Sequence, residues 1–394
     1  MNFVRHLAVA LTGCAVLAAI CGSPANLVSA AGASYTVKTI GPAMASGYSM
    51  DPLSINSSGQ VVGQISHSVN GVNYEAPFAY ESGKVLKPRI PAGYTSAEFT
   101  GIDNVGAISA TATTATNKPY AFAIRRNSSS FTWTLLKGPQ GQKWQGSAVS
   151  INSQGTMTGY LDTPGQRVAV WRKQATGYVA SLLPATTFNV GGGNLETAVG
   201  YGTSIDGSGD VSGNQIVDIP NGSGGQSAYL GSVWLPSGKS VILPGYAGSE
   251  QQTDARGIGE SGTGSGRTLT VAGSVLLNDG MWHPCTWKVV VNGSSLAAKN
   301  PVLSKQDMSD GYWGEGGNNA INPSGTEAVG SIISGPYSWQ TGKDIIELSA
   351  AFPPSSGWDF SYTGDATAVN DKGVVVGYGS HNGRQAGFMA TPAG

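Results

Sequence analysis

The sequence predicts an all-β protein: a seven-bladed β-propeller of four-stranded blades, closed into a ring by an N-terminal strand that completes the last blade. Three observations predict it. A strand–turn–strand signature occurs seven times, its anchors separated by 47, 49, 54, 53, 63 and 48 residues; a period near 50 with four short apolar runs per unit is a propeller signature. Each turn holds Asn, Asp or Gly between β-branched runs, the chemistry of a tight hairpin. The two ends are complementary, because the last unit lacks a fourth strand and the chain opens with an unpartnered one.

In chain order, residues 1–30 read as a secretory signal. Arg5 and His6 form its basic end, Leu7 to Ile20 its apolar stretch, and Val28-Ser29-Ala30 its small-residue cleavage motif, with a cut expected after Ala30 or Ala33. Leu11-Thr12-Gly13-Cys14 matches a lipobox, so a lipid anchor at Cys14 is the minor alternative. The apolar run continues past Cys14, which favours plain secretion or a periplasmic location. Residues 31–394 are then a single propeller domain. Cys14 and Cys21 leave with the signal and Cys285 remains, expected as a small buried apolar residue beside Trp287.

The orphan strand is Tyr35-Thr36-Val37-Lys38-Thr39-Ile40. The seven anchors follow: Ile55-Asn56, Ile102-Asp103, Ile151-Asn152, Ile205-Asp206, Ile258-Gly259, Ile321-Asn322 and Val369-Asn370. The apolar residue enters the core, the Asn or Asp bonds its own turn, and a following Gly (Gly59, Gly106, Gly155, Gly209, Gly262, Gly325, Gly373) supplies positive φ. A second Gly ends the next strand's apolar run at Gly63, Gly159, Gly213, Gly330 and Gly377. Third strands such as Ala76–Tyr80 and Arg167–Trp171 lead through a Gly turn to fourth strands such as Val241-Ile242-Leu243. In unit five the second strand restarts only at Leu269–Gly273, which predicts a longer hairpin. Its Gly257-x-Gly259-x-x-Gly262 is no dinucleotide fingerprint, since no helix follows it. The last unit stops at Ala386–Ala390, and pairing Tyr35–Ile40 with it leaves no exposed edge.

The unit resembles the HAF repeat of bacterial "probable extracellular repeat" proteins, roughly Ile-Asn, Gly-x-Val-Val-Gly, His-Ala-Phe-x-Trp. Ile55 to Gly63 and Val369 to Gly377 match best. The His-Ala-Phe element is degraded to Ala76-Pro77-Phe78, Tyr120-Ala121-Phe122 and His283-Pro284-Cys285. The resemblance covers nearly all of the mature chain. It implies a secreted β-repeat fold and brings no activity with it.

Composition narrows the function classes. Charged residues are 11%, the formal net charge is −1, Gly numbers 58 of 394 and the apolar fraction is 40%. Sparse charge argues against nucleic acid and polybasic lipid binding and, with the aromatics present, against disorder. No membrane span, cofactor or metal is expected, and a monomer is.

Loops after the second and fourth strands share one face, around the mouth of the central channel, where ligands bind commonly. His67 and His381 stand four residues after Gly63 and Gly377, in equivalent loops of adjacent units. They are the weak catalytic candidates, as acid and base. Tyr48, Tyr94, Trp144, Tyr246, Trp313, Trp358 and Tyr362 crowd the loops before the anchors; exposed, they would stack on sugar faces, and buried, they would fill blade junctions. Asp365 is the polar ligand-binding candidate, with Asp254, Arg256, Glu315, Asn318, Asn319 and Asp359 nearby. A carboxylate pair from Asp359, Asp365 and Glu315 would serve a glycosidase; His67, His381, Tyr378, Arg384 and Arg256 would serve a lyase. No nucleophile elbow, His-Glu-x-x-His motif or phosphate loop is present. The sequence therefore favours a secreted binder of an extracellular ligand such as a glycan. A polysaccharide lyase or hydrolase and a structural or adhesive surface protein are the alternatives.

Overall fold

The computed structural model describes residues 34–393 apart from 43, 70–71, 128–129, 164, 176, 186, 191–192, 197–198, 220–225, 247–251, 264–265, 294 and 304–315. The expected signal segment lies outside the described residues. No helix among those described is long and apolar enough to cross a membrane.

Seven antiparallel sheets form the blades. Their first strands are Tyr48–Ile55, Ser96–Ile102, Gly146–Ile151, Val199–Ile205, Thr253–Ser261, Gly316–Ile321 and Trp358–Val369. Each first strand touches the first strand of the next blade, and the seventh touches the first. These strands therefore surround the axis, and later strands lie outward. Among the unanticipated additions are a hairpin, Thr187–Val190 with Gly193–Glu196, between blades three and four, a fifth strand, Val302–Leu303, on Trp282–Asn292 of blade five, and a short helix, Leu348–Ala351, before blade seven.

The ring closes as the sequence predicts. Strand Tyr35–Ile40 pairs antiparallel with Arg384–Pro392, Thr39 opposite Phe388 and Ile40 opposite Gly387. Ile40 is fully buried with Met50, Phe78 and Met389. The first and last strands of the chain thus share a sheet, and the outer edge of Arg384–Pro392 is covered.

The recurring Asn does two jobs. In blade one, Asn56 Oδ1 accepts the turn amides of Ser58 and Gln60, while Nδ2 donates to the Asp103 carbonyl of blade two at 3.0 Å. Asn152 likewise reaches the Asp206 carbonyl at 2.8 Å. Asn370 reaches the Asn56 carbonyl at 2.9 Å, across the closure. Asp103 and Asp206 keep the turn bonds but lack the amide donor.

All seven first strands carry a β-bulge, at Leu53, Thr100, Val149, Thr203, Arg256, Asn319 and Thr367. The bulge explains the second glycine of the repeat. A Cβ on Gly63, Gly159, Gly213, Gly273, Gly330 or Gly377 would lie 1.9–2.2 Å from a first-strand carbonyl oxygen. Only glycine admits that approach. Blade two has Ala110 at this register, opposite Phe99.

The last residue of the degraded third-strand motif has a role too. Trp171, Trp234 and Trp287 are fully buried, and each indole donates to a carbonyl in the linker leaving the preceding blade: Lys137 at 3.0 Å, Pro184 at 3.1 Å and Pro244 at 2.9 Å. A large apolar plug thereby carries its one polar atom to a fixed partner. Cys285 is buried beside Trp287, as expected.

Blade five has the longer hairpin. With Gly at the anchor, no Asx turn ends the ladder, and pairing continues to Ser261 opposite Thr268. The extension places Glu260 and Arg267 over blade four's turn. Arg267 there forms a two-pronged ion pair with buried Asp210, and a bond to Glu260 of 3.2 Å.

Candidate functional site

Two positions repeat around the axis. One is the bulge residue, two before each apolar anchor. The other, four before it, is Asp51, Glu98, Ser147, Tyr201, Asp254, Gly317 and Asp365. All seven bulge residues are partly exposed, whereas the residue preceding each (Pro52, Phe99, Ala148, Gly202, Ala255, Asn318, Ala366) is buried. Side chains thus turn from the blade packing toward a water-accessible axis at these levels. Inter-blade bonds hold the wall: Thr100 Oγ1 to the Ala148 carbonyl at 2.9 Å, Thr203 Oγ1 to the Ala255 carbonyl at 2.9 Å, and Thr367 Oγ1 to the Pro52 carbonyl at 2.5 Å.

Charge in these two positions is unevenly spread. Arg256 is the only charged bulge residue. Its Nε donates to Asp254 Oδ2 at 2.7 Å, and Asp254 Oδ1 accepts from Asn214 Nδ2 at 2.6 Å. Two blades on, Asp365 Oδ1 accepts from Asn319 Nδ2 at 2.6 Å, and Ser331 also bonds its carboxyl. Burial pushes the Asp365 carboxyl up to about 6, against those two bonds and the attraction of Arg256. Burial also raises Asp51, whose Oδ2 accepts from Ser49 at 3.3 Å and Gln64 at 3.4 Å. The Tyr378 phenol is held firmly protonated by burial and by the negative charges of Asp365 and Asp51. Burial and Asp254 do the same to Tyr201. Blades four, five, six, seven and one therefore converge a guanidinium, three carboxylates, two phenols and three amides on one stretch of channel.

Above this level, on the loop face, three rings stack across blade one. Tyr48 lies on His67 at 4.6 Å and 17°, and His67 on Tyr74 at 5.1 Å and 20°. The cross-strand register puts them side by side. Tyr48 is 42% exposed and Tyr74 43%, the two exposed aromatic side chains among the described residues.

The other sequence candidates separate by burial. Tyr94 packs edge-on against Tyr120 and Phe122, under the Lys143 ammonium. Trp144 lies on Gly138, whose Cβ would meet its ring at 2.5 Å, and packs on the blade-three core. Tyr246 packs on the blade-five core. Trp358 stacks on Phe360 at 5.8 Å and 3°. These four are half-buried junction fillers, so the described candidates form no continuous exposed ring. Trp313, Glu315 and the Tyr362 side chain lie outside the described residues.

His67 and His381 occupy equivalent registers, opposite Tyr48 and Trp358, in blades that touch. Each is engaged within its own blade: His67 between two tyrosines, and His381 Nε2 on the Ser356 carbonyl at 3.1 Å with its ring against Trp358. No group of three metal-ligating side chains occurs among the described residues. Asn318 is a strut, donating to the Gly273 and Cys285 carbonyls and accepting from the Tyr337 hydroxyl. Asp359 and Arg384 are exposed.

Sequence reasoning passed over Asp51, Tyr201, Asn214 and Tyr74. A signal existed for Asp51 and Tyr201: each stands four before an anchor. Regular alternation would put that position on the anchor's own core-facing side. The bulge reverses the phase, and nothing in the local sequence marks a bulge.

A cavity of about 290 Å³ lies on the opposite, Asn-turn face between blades one and two. It is lined by Gln60, Tyr80, Val105 and the Glu81–Arg126 ion pair.

No family model matches the chain, and no curated protein matches it. Solved structures of similar outline include a Hadza microbial sialidase (9% identity, TM-score 0.42), covering 88% of this chain and 66% of that one. Others are a Penicillium chrysogenum α-L-arabinanase complexed with arabinobiose (7%, 0.39, 91% and 98%) and a Trypanosoma rangeli sialidase (8%, 0.38, 88% and 54%). The chain thus spans just under two thirds of the first sialidase and about half of the second.

Proposed function

We propose that the protein binds an extracellular glycan on the loop face of the propeller. The observation that carries this is the Tyr48–His67–Tyr74 stack. Large aromatics elsewhere in the described structure are packed away, whereas these two tyrosines hold their rings in solvent on a rigid three-strand platform. An aromatic fixed by its neighbours offers apolar contact to a sugar face with little ordering left to do on binding. The HAF-repeat resemblance and the expected secretion signal support this reading, since a secreted surface is one that meets polysaccharides.

The test is retention of the mature protein on insoluble polysaccharides and on a glycan array, beside Tyr48→Ala and Tyr74→Ala. Retention of the wild type on at least one glycan class, lowered at least tenfold in both variants with unchanged thermal unfolding, is the expected result. No retention by any class would remove the reading.

A further inference from the structure

The cavity between blades one and two, on the face away from the aromatic platform, is built by departures from the repeat. The third-strand place filled by Trp171, Trp234 and Trp287 holds the smaller Tyr80 in blade one and Ile124 in blade two. At the junction of blades four and five, Arg267 of the long hairpin lies over Asp210, five residues after its anchor. Gln60 is the counterpart in blade one, but blade two's hairpin ends at its Asx turn, and the space beside Gln60 remains as a cavity of about 290 Å³. Val61, Ile102 and Ile108 close its floor. Val105 stands at its lip, 83% exposed, where Ser, Gln or Lys follows the other six anchors. A single exposed valine means little by itself; beside an apolar floor it adds a wall. Two charges border the same space. Glu81 ends the third strand of blade one, Arg126 lies on the third strand of blade two, and their ion pair leaves the side chains 32% and 25% exposed. Gln60 Nε2 donates to Glu81 Oε1 at 2.6 Å and fixes the carboxylate. Lys84 stands opposite Glu81, and Asp103 holds blade two's turn, so the charges around the cavity balance.

We propose that this cavity is a second ligand site, taking a free α-amino acid with an apolar side chain: its carboxylate accepts from Arg126, its ammonium donates to Glu81, and its side chain lies on Val105 above the Val61–Ile102–Ile108 floor. Size, charge and polarity each narrow the class. The volume stands at the small end of ligand pockets, which suits one small molecule rather than a chain. A balanced site favours a ligand without net charge. Within that class a zwitterion matches best, because its two adjacent opposite charges meet an adjacent pair of the reverse sign, and both bonds are charge-assisted. An ion pair this exposed is worth little by itself, so a ligand can share it at small cost. A sugar hydroxyl brings no cation to Glu81, and a residue inside a peptide has lost both backbone charges.

The site is independent of the glycan reading and is tested without a glycan. Calorimetric titration of the mature protein is made with L-leucine, L-valine and L-phenylalanine. Three analogues each lack one feature: 4-methylpentanoate the ammonium, 3-methylbutylamine the carboxylate, and L-serine the apolar side chain. The same titrations follow on Arg126→Gln, Glu81→Gln and Val105→Ser, with thermal unfolding as the fold control. Saturable binding of at least one apolar amino acid, weakened at least tenfold in all three analogues, is the expected result, since one lost charge-assisted bond is worth about that factor. Arg126→Gln and Glu81→Gln should each weaken it at least tenfold, and Val105→Ser about threefold, for a methyl-sized loss of apolar contact. Val105→Ser places on an exposed turn the residue that blades one, four and six already carry there, so its fold is secure. Should an ion-pair variant prove unfolded, the analogues on the wild type together with Val105→Ser decide. Binding of 4-methylpentanoate or 3-methylbutylamine as tight as that of the amino acid overturns the proposal. So does binding that the folded variants leave unchanged, and so does the absence of saturable binding by all three apolar amino acids.

Discussion

Replacing Asp206 by Asn should stabilise this propeller, and more so at high pH. Asp206 occupies the repeat position where Asn56, Asn152 and Asn370 bridge blades. Its Oδ1 makes the turn bonds to Ser208 and Asp210, but its Oδ2 is buried without a hydrogen bond, 3.9 Å from Arg267 Nη1. Only 1% of the side chain is exposed. Burial first, then the neighbouring Asp210 and Glu260 charges, push its carboxyl up to about 8. Its folded-state affinity for a proton therefore exceeds the unfolded value of about 3.9. The sign follows: the stability this group contributes is present at acid pH and is lost as pH rises through about 8. A rise of about 4 units corresponds to roughly 6 kcal/mol at most. Because the Asp206 carboxyl lies among the charges of Asp210, Glu260 and Arg267, which share the effect, about 2–4 kcal/mol is the expected share of the single residue. Asn keeps the turn bonds, carries no charge, and gains an Nδ2 that can donate toward blade five as Asn152 does toward blade four, worth about 1 kcal/mol. Guanidinium unfolding at pH 5 and pH 9 measures this. Asp206→Asn should exceed the wild type by about 1.5–2 kcal/mol at pH 5 and by about 3–5 kcal/mol at pH 9, on those two contributions. A difference independent of pH, or a less stable variant at pH 9, would refute the reasoning.

Other predictions follow from the same geometry. Asn370→Asp removes the bond across the closure and leaves a carboxylate in a buried turn; unfolding midpoints should fall by the equivalent of about 1–3 kcal/mol at pH 7. Gly377→Ala forces a Cβ to within 2.0 Å of the Asp365 carbonyl; a loss above about 3 kcal/mol, or insoluble protein, is expected, read by denaturation and soluble yield. Trp234→Phe keeps most of the buried ring but leaves the Pro184 carbonyl without its indole donor; about 1–3 kcal/mol should be lost in chemical unfolding. Tyr48→Ala should change unfolding by less than about 1 kcal/mol, since an exposed residue outside such features rarely matters more, while glycan retention collapses.

The division between sequence and tertiary structure is sharp in this chain. Blade number, strand order and ring closure were legible because their causes are local and repeat. Asn56 with Gly59 makes a hairpin whatever surrounds it, and seven such hairpins plus one orphan strand, Tyr35–Ile40, admit one closed count. The long hairpin of blade five was legible for the same reason, as an anchor lacking its Asx residue. The function of the second glycine was not, because Gly63 and Gly377 are required by a carbonyl on another strand, pushed forward by a bulge. The burial of Tyr94, Trp144, Tyr246 and Trp358 was not, since an aromatic in a loop is equally suited to solvent or to a junction until the neighbouring blade is in place. The axial group was not, although Asp254, Arg256, Asp365 and Tyr378 were each noticed. Asp51, Tyr201, Asp254 and Asp365 come from four blades, each 53 to 150 residues from the next along the chain, and converge only when every first strand shifts phase at its bulge. Local turn chemistry is written in adjacent residues; convergence on an axis is a property of the closed ring.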